Sequence, residues 1–231
     1  MLDQLKTDVC KANLDLVAHG LVTLTWGNVS GFDRERGVMA IKPSGVPYEA
    51  LTPGHIVLVD LEGRVVEGAL RPSSDTPTHL LLYRHFPGPG VEGITHTHSL
   101  HATMFAQARA EIPCLSTTHA DHFHGAVPVT RPLTPEEVDQ AYEVNTGHVI
   151  VERFRDLDPI AMPAVLVAGH APFAWGRDAA ESVRNAVALE AVAQLAMGTR
   201  RIRPDAPPLE PYVLRKHYQR KHGPHAYYGQ R

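Results

Sequence analysis

The stretch Gly93-Ile94-Thr95-His96-Thr97-His98-Ser99 constrains this chain more than any other. Its apolar, β-branched lead-in reads as a strand, and on a strand residues i and i+2 point to one face. His96 and His98 would then aim both imidazoles at a single point, as two ligands of one metal ion must. A third ligand has to reach that point from elsewhere in the chain. Alone the pattern is weak, because a chain with 15 histidines can pair two of them by chance.

Length and charge narrow the classes. The 231 residues suit one large domain or two small ones. Net charge is 22 − 25 = −3, so nothing draws the whole molecule to nucleic acid or to a membrane surface. No apolar run approaches the ~18 residues of a membrane span. Asp3 and Asp8 interrupt the N-terminus, which lacks the basic start and apolar block of a signal peptide. Cys10 and Cys114, outside any C-x-x-C motif, read as ordinary thiols of a reducing cytoplasm.

Along the chain, Leu2, Leu5, Val9, Ala12 and Leu16 form one helical stripe, with Gly20 as its stop. Leu21 to Trp26 is rich in β-branched and aromatic residues and predicts a strand. Val38 to Ile41 and Ile56 to Leu61 predict two more. Ser73-Ser74-Asp75-Thr76-Pro77 predicts a helix start, with the helix running to Phe86 and closed by Pro87-Gly88-Pro89-Gly90. Val91 to His98 is then a strand, and Ser99 caps a helix to Ala110. Ile112 to Thr118 reads as extended, and Val127 to Thr130 and Ala164 to Ala168 as strands. Thr134-Pro135-Glu136-Glu137 opens a helix, and Asp178 with Glu181 opens the longest one, to about Met197. Several strands follow one another without a helix between them. The fold class is therefore a single α/β domain, 1–231, with a mostly antiparallel or mixed central sheet flanked by helices. Residues 199–231 differ: eight Lys/Arg stand against two Asp/Glu, and prolines argue against one long helix. The aromatic content of this basic tail predicts that it packs on something.

Beyond the histidine pair, His170 directly follows the apolar run Val165 to Gly169 and is the candidate third ligand. A satisfied core histidine is the plain alternative. Three histidines with an open position are the pattern of a catalytic zinc acting as a Lewis acid. Lys42-Pro43-Ser44-Gly45, Ser73-Ser74 and Gly27-Asn28 are small polar loops at element ends, suited either to anions or to ordinary turns. Asp121 could exchange protons or cap its own turn. Tyr228 and His217 lie in the basic tail, where a tyrosine can be an acid/base or a packing anchor.

Taken together these blocks resemble the L-ribulose-5-phosphate 4-epimerases of the class II aldolase and adducin superfamily. The resemblance rests on residues 21–30, 41–46, 72–79, His96-Thr97-His98-Ser99, 117–121, 172–176, Arg220-Lys221-His222-Gly223 and Ala226-Tyr227-Tyr228-Gly229-Gln230. It implies a divalent metal, normally zinc, on His96, His98 and His170, with Asp75 as a further ligand. It implies that Gly27, Asn28, Lys42, Ser44, Gly45, Ser73 and Ser74 hold a sugar phosphate, with Thr117, His217 and Arg220 near it. Asp121 and Tyr228 would be acid/base groups on opposite faces of the substrate. The tyrosine would come from a neighbouring subunit of a cyclic homotetramer, whose tail, 199–231, completes the adjacent site. The implied reaction is isomerisation of L-ribulose 5-phosphate to D-xylulose 5-phosphate, by C3–C4 cleavage, rotation of the aldehyde and re-addition, as in L-arabinose catabolism. Rival readings are a class II sugar-phosphate aldolase, which generally carries a glutamate where this chain has Asp75, and an epimerase of an ascorbate-type pathway. A non-catalytic adducin-like module would be expected to lose the histidine set, which is complete here.

Overall fold

The computed structural model describes residues 2–86, 88 and 90–228. Pro87, Pro89 and the Gly229-Gln230 end of the tail motif lie outside the described residues. Seven strands, β1 (Gly27–Asp33), β2 (Val38–Ile41), β3 (Val57–Asp60), β4 (Val65–Glu67), β5 (Gly93–Thr97), β6 (Ala164–Leu166) and β7 (Pro172–Gly176), form one sheet. Their spatial order is β4-β3-β2-β1-β5-β7-β6, and every neighbouring pair is antiparallel. The described α-helices are α1 (Leu2–Ala18), α2 (Thr76–His85), α3 (Leu100–Ala108), α4 (Thr117–Ala120), α5 (Pro135–Arg153), α6 (Ala179–Ile202) and α7 (Pro211–His222).

Helices cover both faces of the sheet, which is why central β1 and β5 are buried along their lengths rather than alternating. On one face α1 and α6 lie close over β1: a Cβ on Gly31 would come within 2.9 Å of Val9 Cγ2. On the other face Phe32 of β1 stacks on Tyr83 of α2 at 4.8 Å. Trp175 of β7 packs there against Phe86 and Phe154. The expected antiparallel, helix-flanked domain is the one observed.

Local chemistry sets most element ends. Gly20, at φ +66°, turns the chain out of α1. Thr134 and Glu137 form a reciprocal capping box on α5. Asp178 accepts the Glu181 N–H to start α6, which runs five residues beyond the expected Met197. Four expectations need correction. Leu21 to Trp26 is not a strand but a run of turns, closed by Trp26 N–H to Thr23 O and Gly27 N–H to Thr25 O. Its Leu24 and Trp26 are exposed, so their strand propensity has no sheet to pack on, and β1 begins only at Gly27. Residues 127–130 make only isolated bridges to Ile112 and Leu166, and 117–120 is a short helix rather than extended. Ser99 stands at the start of α3 but makes no side-chain cap; Glu190 of α6 instead accepts the His101 and Ala102 N–H groups.

Candidate metal centre

His96 lies near the end of β5, His98 one residue past it, and His170 in the turn between β6 and β7. Gly169, at φ +74°, makes that turn. One ligand nitrogen from each of the three falls within 4.8 Å of the others. The ring centroids form a nearly equilateral triangle, with sides of 5.1, 5.0 and 5.0 Å. His96 Nδ1 lies 3.0 Å from the Pro172 carbonyl. A carbonyl only accepts, so Nδ1 carries the proton and Nε2 is left as a metal ligand. His170 Nδ1 is buried with no hydrogen-bond partner among the described residues. Burial pushes the His170 imidazole down to about 4, and burial also lowers His98, with neighbouring His96 adding to both. Those two rings are therefore neutral, the form that binds metal. Three imidazole nitrogens converging with room for a further ligand fit a divalent transition metal.

Asp75 does not join that triangle among the described residues. It precedes α2 at the N-cap position without capping it. Its Oδ2 instead accepts from Asn28 Nδ2 at 2.6 Å and faces the same pocket. Burial favours its neutral form, but the neighbouring His96 imidazole and the Asn28 bond outweigh this and hold the carboxyl below its ordinary range.

The three polar loops meet beside the triad. Ser73 N–H donates to Lys42 O and Ser44 N–H to Arg71 O, both at 3.0 Å, stapling two loops together. Asn28 Nδ2 reaches Ser73 Oγ at 3.1 Å and ties in the third. Gly27 is required where it stands: φ is +146°, and a Cβ would lie 2.9 Å from His96 O. The result is one pocket of about 570 Å³. Gly27, Asn28, Lys42, Ser44, Gly45, Ser73, Ser74, Asp75 and the three histidines line it. Lys42 is only 2% exposed, and burial lowers its pKa. Its ammonium donates to Val46 O at 2.7 Å and lies 4.8 Å from the Tyr48 ring centroid. Among the described residues no carboxylate pairs with it. A buried cation without a counter-charge, beside the N-terminus of α2, is a strong draw for an anion.

Tyr142 and Glu143 also line this pocket, and no local pattern in the sequence points to them. They follow a break inside α5, where Ala141 takes φ −163°, ψ 76°. Neither Pro nor Gly marks the break.

A second cluster gathers where α7 packs on α4. Arg220 donates to Asp121 twice, Nε to Oδ1 at 3.0 Å and Nη2 to Oδ2 at 2.6 Å. His217 Nδ1 is 3.2 Å from Oδ1, and His222 Nε2 donates to Asp121 O at 2.9 Å. Burial alone would raise the Asp121 pKa, but Arg220 and His217 hold it low. The Arg220 guanidinium also stands 4.5 Å from the ring centroid of Tyr228, which is 56% exposed. Thr117 opens α4, one turn before Asp121. Asp121, Thr117, His217, Arg220 and Tyr228 do not line the metal pocket of their own chain. Within one chain Asp121 and Tyr228 sit together around Arg220. The tail's helix α7 packs on α4, in line with the packing that the tail's aromatic content predicted.

Residues 7–197 match the profile of the class II aldolase and adducin N-terminal domain. L-ribulose-5-phosphate 4-epimerase UlaF of Salmonella typhi is 54% identical over 230 residues, spanning 100% of both chains. The protein of the same name from Salmonella paratyphi C (strain RKS4594) is equally similar. Among solved structures, an L-fuculose 1-phosphate aldolase superposes with a TM-score of 0.79 at 26% identity, over 94% of this chain and 95% of that one. L-fuculose-1-phosphate aldolase from Thermus thermophilus gives 0.67, also at 26%, over 89% and 98%. The matched region holds the whole three-histidine corner and its stapled loops, and the chain belongs to the class II aldolase and adducin family.

Proposed function

We propose that this protein is an isomerase, a metal-dependent L-ribulose-5-phosphate 4-epimerase, which interconverts L-ribulose 5-phosphate and D-xylulose 5-phosphate. One observation carries the reading: a single pocket joins three convergent imidazoles to an anion cradle built around the uncompensated Lys42. The full-length likeness to proteins named for this activity supports it.

Zinc, or another divalent cation, held by His96, His98 and His170 would supply Lewis-acid polarisation of the substrate carbonyl. The chain's own residues do the rest. Lys42, Asn28, Ser44, Gly45, Ser73 and Ser74 hold the phosphate, with Gly27 keeping the cradle close to β5. Anchoring by phosphate keeps the aldehyde fragment in place while it turns over, so the same two pieces rejoin at the other face. Asp121 and Tyr228 exchange the C4 hydroxyl proton, one for each epimer. They arrive from a neighbouring subunit of a cyclic homotetramer. Support for this comes from their position outside the pocket of their own chain, with His217 and Arg220 holding them together. Asp75, which lines the same pocket, would serve as a metal ligand or as a partner of the substrate's hydroxyls. The free thiols of Cys10 and Cys114 fit a reducing cytoplasm.

Purified protein stripped by chelator and reloaded with zinc should convert L-ribulose 5-phosphate to D-xylulose 5-phosphate. Activity indifferent to metal would refute the mechanism, and no xylulose product would refute the substrate. The likeness in fold to fuculose phosphate aldolases keeps a sugar-phosphate aldolase as the second reading. Net release of aldehyde at a rate matching ketose consumption would favour it.

A further inference from the structure

Behind the pocket floor a line of fully buried groups leads to one unpartnered nitrogen. Tyr83 OH is 2.7 Å from Ser30 Oγ, and Ser30 Oγ is 2.7 Å from His79 Nδ1. Tyr83 is 1% exposed, and Ser30 and His79 are 0% exposed. His79 Nε2 is buried and has no hydrogen-bond partner among the described residues. Its ring lies edge-on to Phe173 at 5.9 Å, and Phe173 stacks on the metal ligand His96 at 4.2 Å. His79 stands one turn after Asp75 on α2, with His79 N–H donating to Asp75 O. On a helix that spacing lays the later side chain over the earlier one.

The direction of the line can be worked out. Among the described residues the phenol proton of Tyr83 finds no acceptor other than Ser30 Oγ, so it goes there. The serine proton then goes to His79 Nδ1, which accepts. The single proton of a neutral imidazole is thereby placed on Nε2. The reverse order would leave the phenol proton without an acceptor among the described residues. Burial keeps the ring neutral, pushing it down to about 3 despite the nearby Asp75 charge.

We propose that His79 is a positioning residue for Asp75: the Tyr83–Ser30 relay fixes its tautomer, and the resulting Nε2–H takes the Asp75 carboxylate as the pocket fills. Asn28 holds that carboxylate from the loop side, so His79 supplies the second bond from within the core. Nothing in the sequence distinguishes this histidine from an ordinary buried one; only the unspent N–H under the pocket does. His79 has this role only if Asp75 works in the pocket as read above, whereas its tautomer does not depend on that reading.

Two measurements test it on the full-length protein. Long-range proton–nitrogen NMR of ¹⁵N-histidine-labelled protein, with His79→Gln for assignment, should show Nε2 protonated and Nδ1 bare across the neutral range. Ser30→Ala should lose that selection. An Nδ1-protonated His79 in the native protein overturns the proposal. The second measurement is a mutant cycle on the reaction. His79→Leu should lower kcat by about ten- to a hundredfold, the usual cost of losing an orienting partner in a metal site. His79→Gln, which keeps an N–H in place, should recover most of it. In an Asp75→Asn background, the leucine change should cost less than about twofold, because it acts through the group already altered. Equal costs in both backgrounds overturn the role. If the native protein lacks epimerase activity altogether, the functional reading fails while the tautomer result still stands.

Discussion

Asp121 and Arg220 face each other with both carboxylate oxygens and two guanidinium nitrogens engaged, at 3.0 and 2.6 Å. The arrangement joins α4 to α7, which are 99 residues apart at these two positions. Because Arg220 also carries Tyr228 on its face, the two proposed proton-transfer groups of one chain move as a unit. Mixed assemblies should therefore behave asymmetrically. Metal-deficient His96→Ala subunits mixed with Tyr228→Phe subunits should regain up to about a quarter of native activity, through sites that pair an intact pocket with an intact tail. Asp121→Asn mixed with Tyr228→Phe should regain almost none, since every donated unit is defective. Recovery in that second mixture, in verified hybrid tetramers, would show that the groups come from different subunits.

Lys42 is a buried cation with only carbonyl oxygens and a ring around it. Lys42→Met keeps the stem and removes the charge. A charge-assisted bond of ~1.5–3 kcal/mol is then lost, so KM for the ketose phosphate should rise by about ten- to a hundredfold. The looser anchor should also release glycolaldehyde phosphate, detectable by trapping with a coupled reductase. An unchanged KM would move the phosphate elsewhere.

Removal of metal should abolish turnover, and zinc should restore it. His170→Ala should lower zinc affinity by at least about tenfold in a chromophoric chelator competition, while His124→Ala, on the exposed side of Phe123, should leave it unchanged. Equal effects of the two would remove His170 from the ligand set.

His119 is 1% exposed, and its Nε2–H donates to Gly125 O at 2.7 Å. Burial pushes it down to about 4 from an ordinary 6.5. Between those values the unfolded chain binds a proton that the folded chain refuses. Stability is thus complete above 6.5 and falls as pH drops through the window, by ~1.4 kcal/mol per pH unit for this one group. His122, also pushed down to about 4 by burial and by Lys221, acts in the same direction. Urea midpoints of metal-free protein should fall across this range, and His119→Gln should flatten the slope.

The antiparallel α/β domain, the three histidines that converge and the three small polar loops that meet beside them were legible in the residues, because strand alternation, cap chemistry and small polar loops are local signals. What failed was non-local. Leu21 to Trp26 carries strand-like side chains, but the sheet starts where Gly27 lets the backbone pass His96 O. Tyr142 and Glu143 enter the pocket through a break at Ala141 that tertiary packing imposes without a sequence marker. The family pattern did single out Asp121 and Tyr228, yet only the folded chain reveals that they belong to one cluster around Arg220.

The length of α6 has a consequence for assembly. Its 24 residues span about 36 Å at ~1.5 Å each. It packs on the face of β5 and β7 opposite the histidines, where its Ser182 meets Thr95, and its far end feeds the loop into α7. On the shared-site reading, this one helix spans the distance between what a subunit receives and what it donates. Head-to-tail contacts close into a ring only when that relation is a fixed rotation; a hinge between the two patches would admit open spirals. An unbroken helix offers no hinge. α6 then works as a gauge for the number of subunits that can complete a circle.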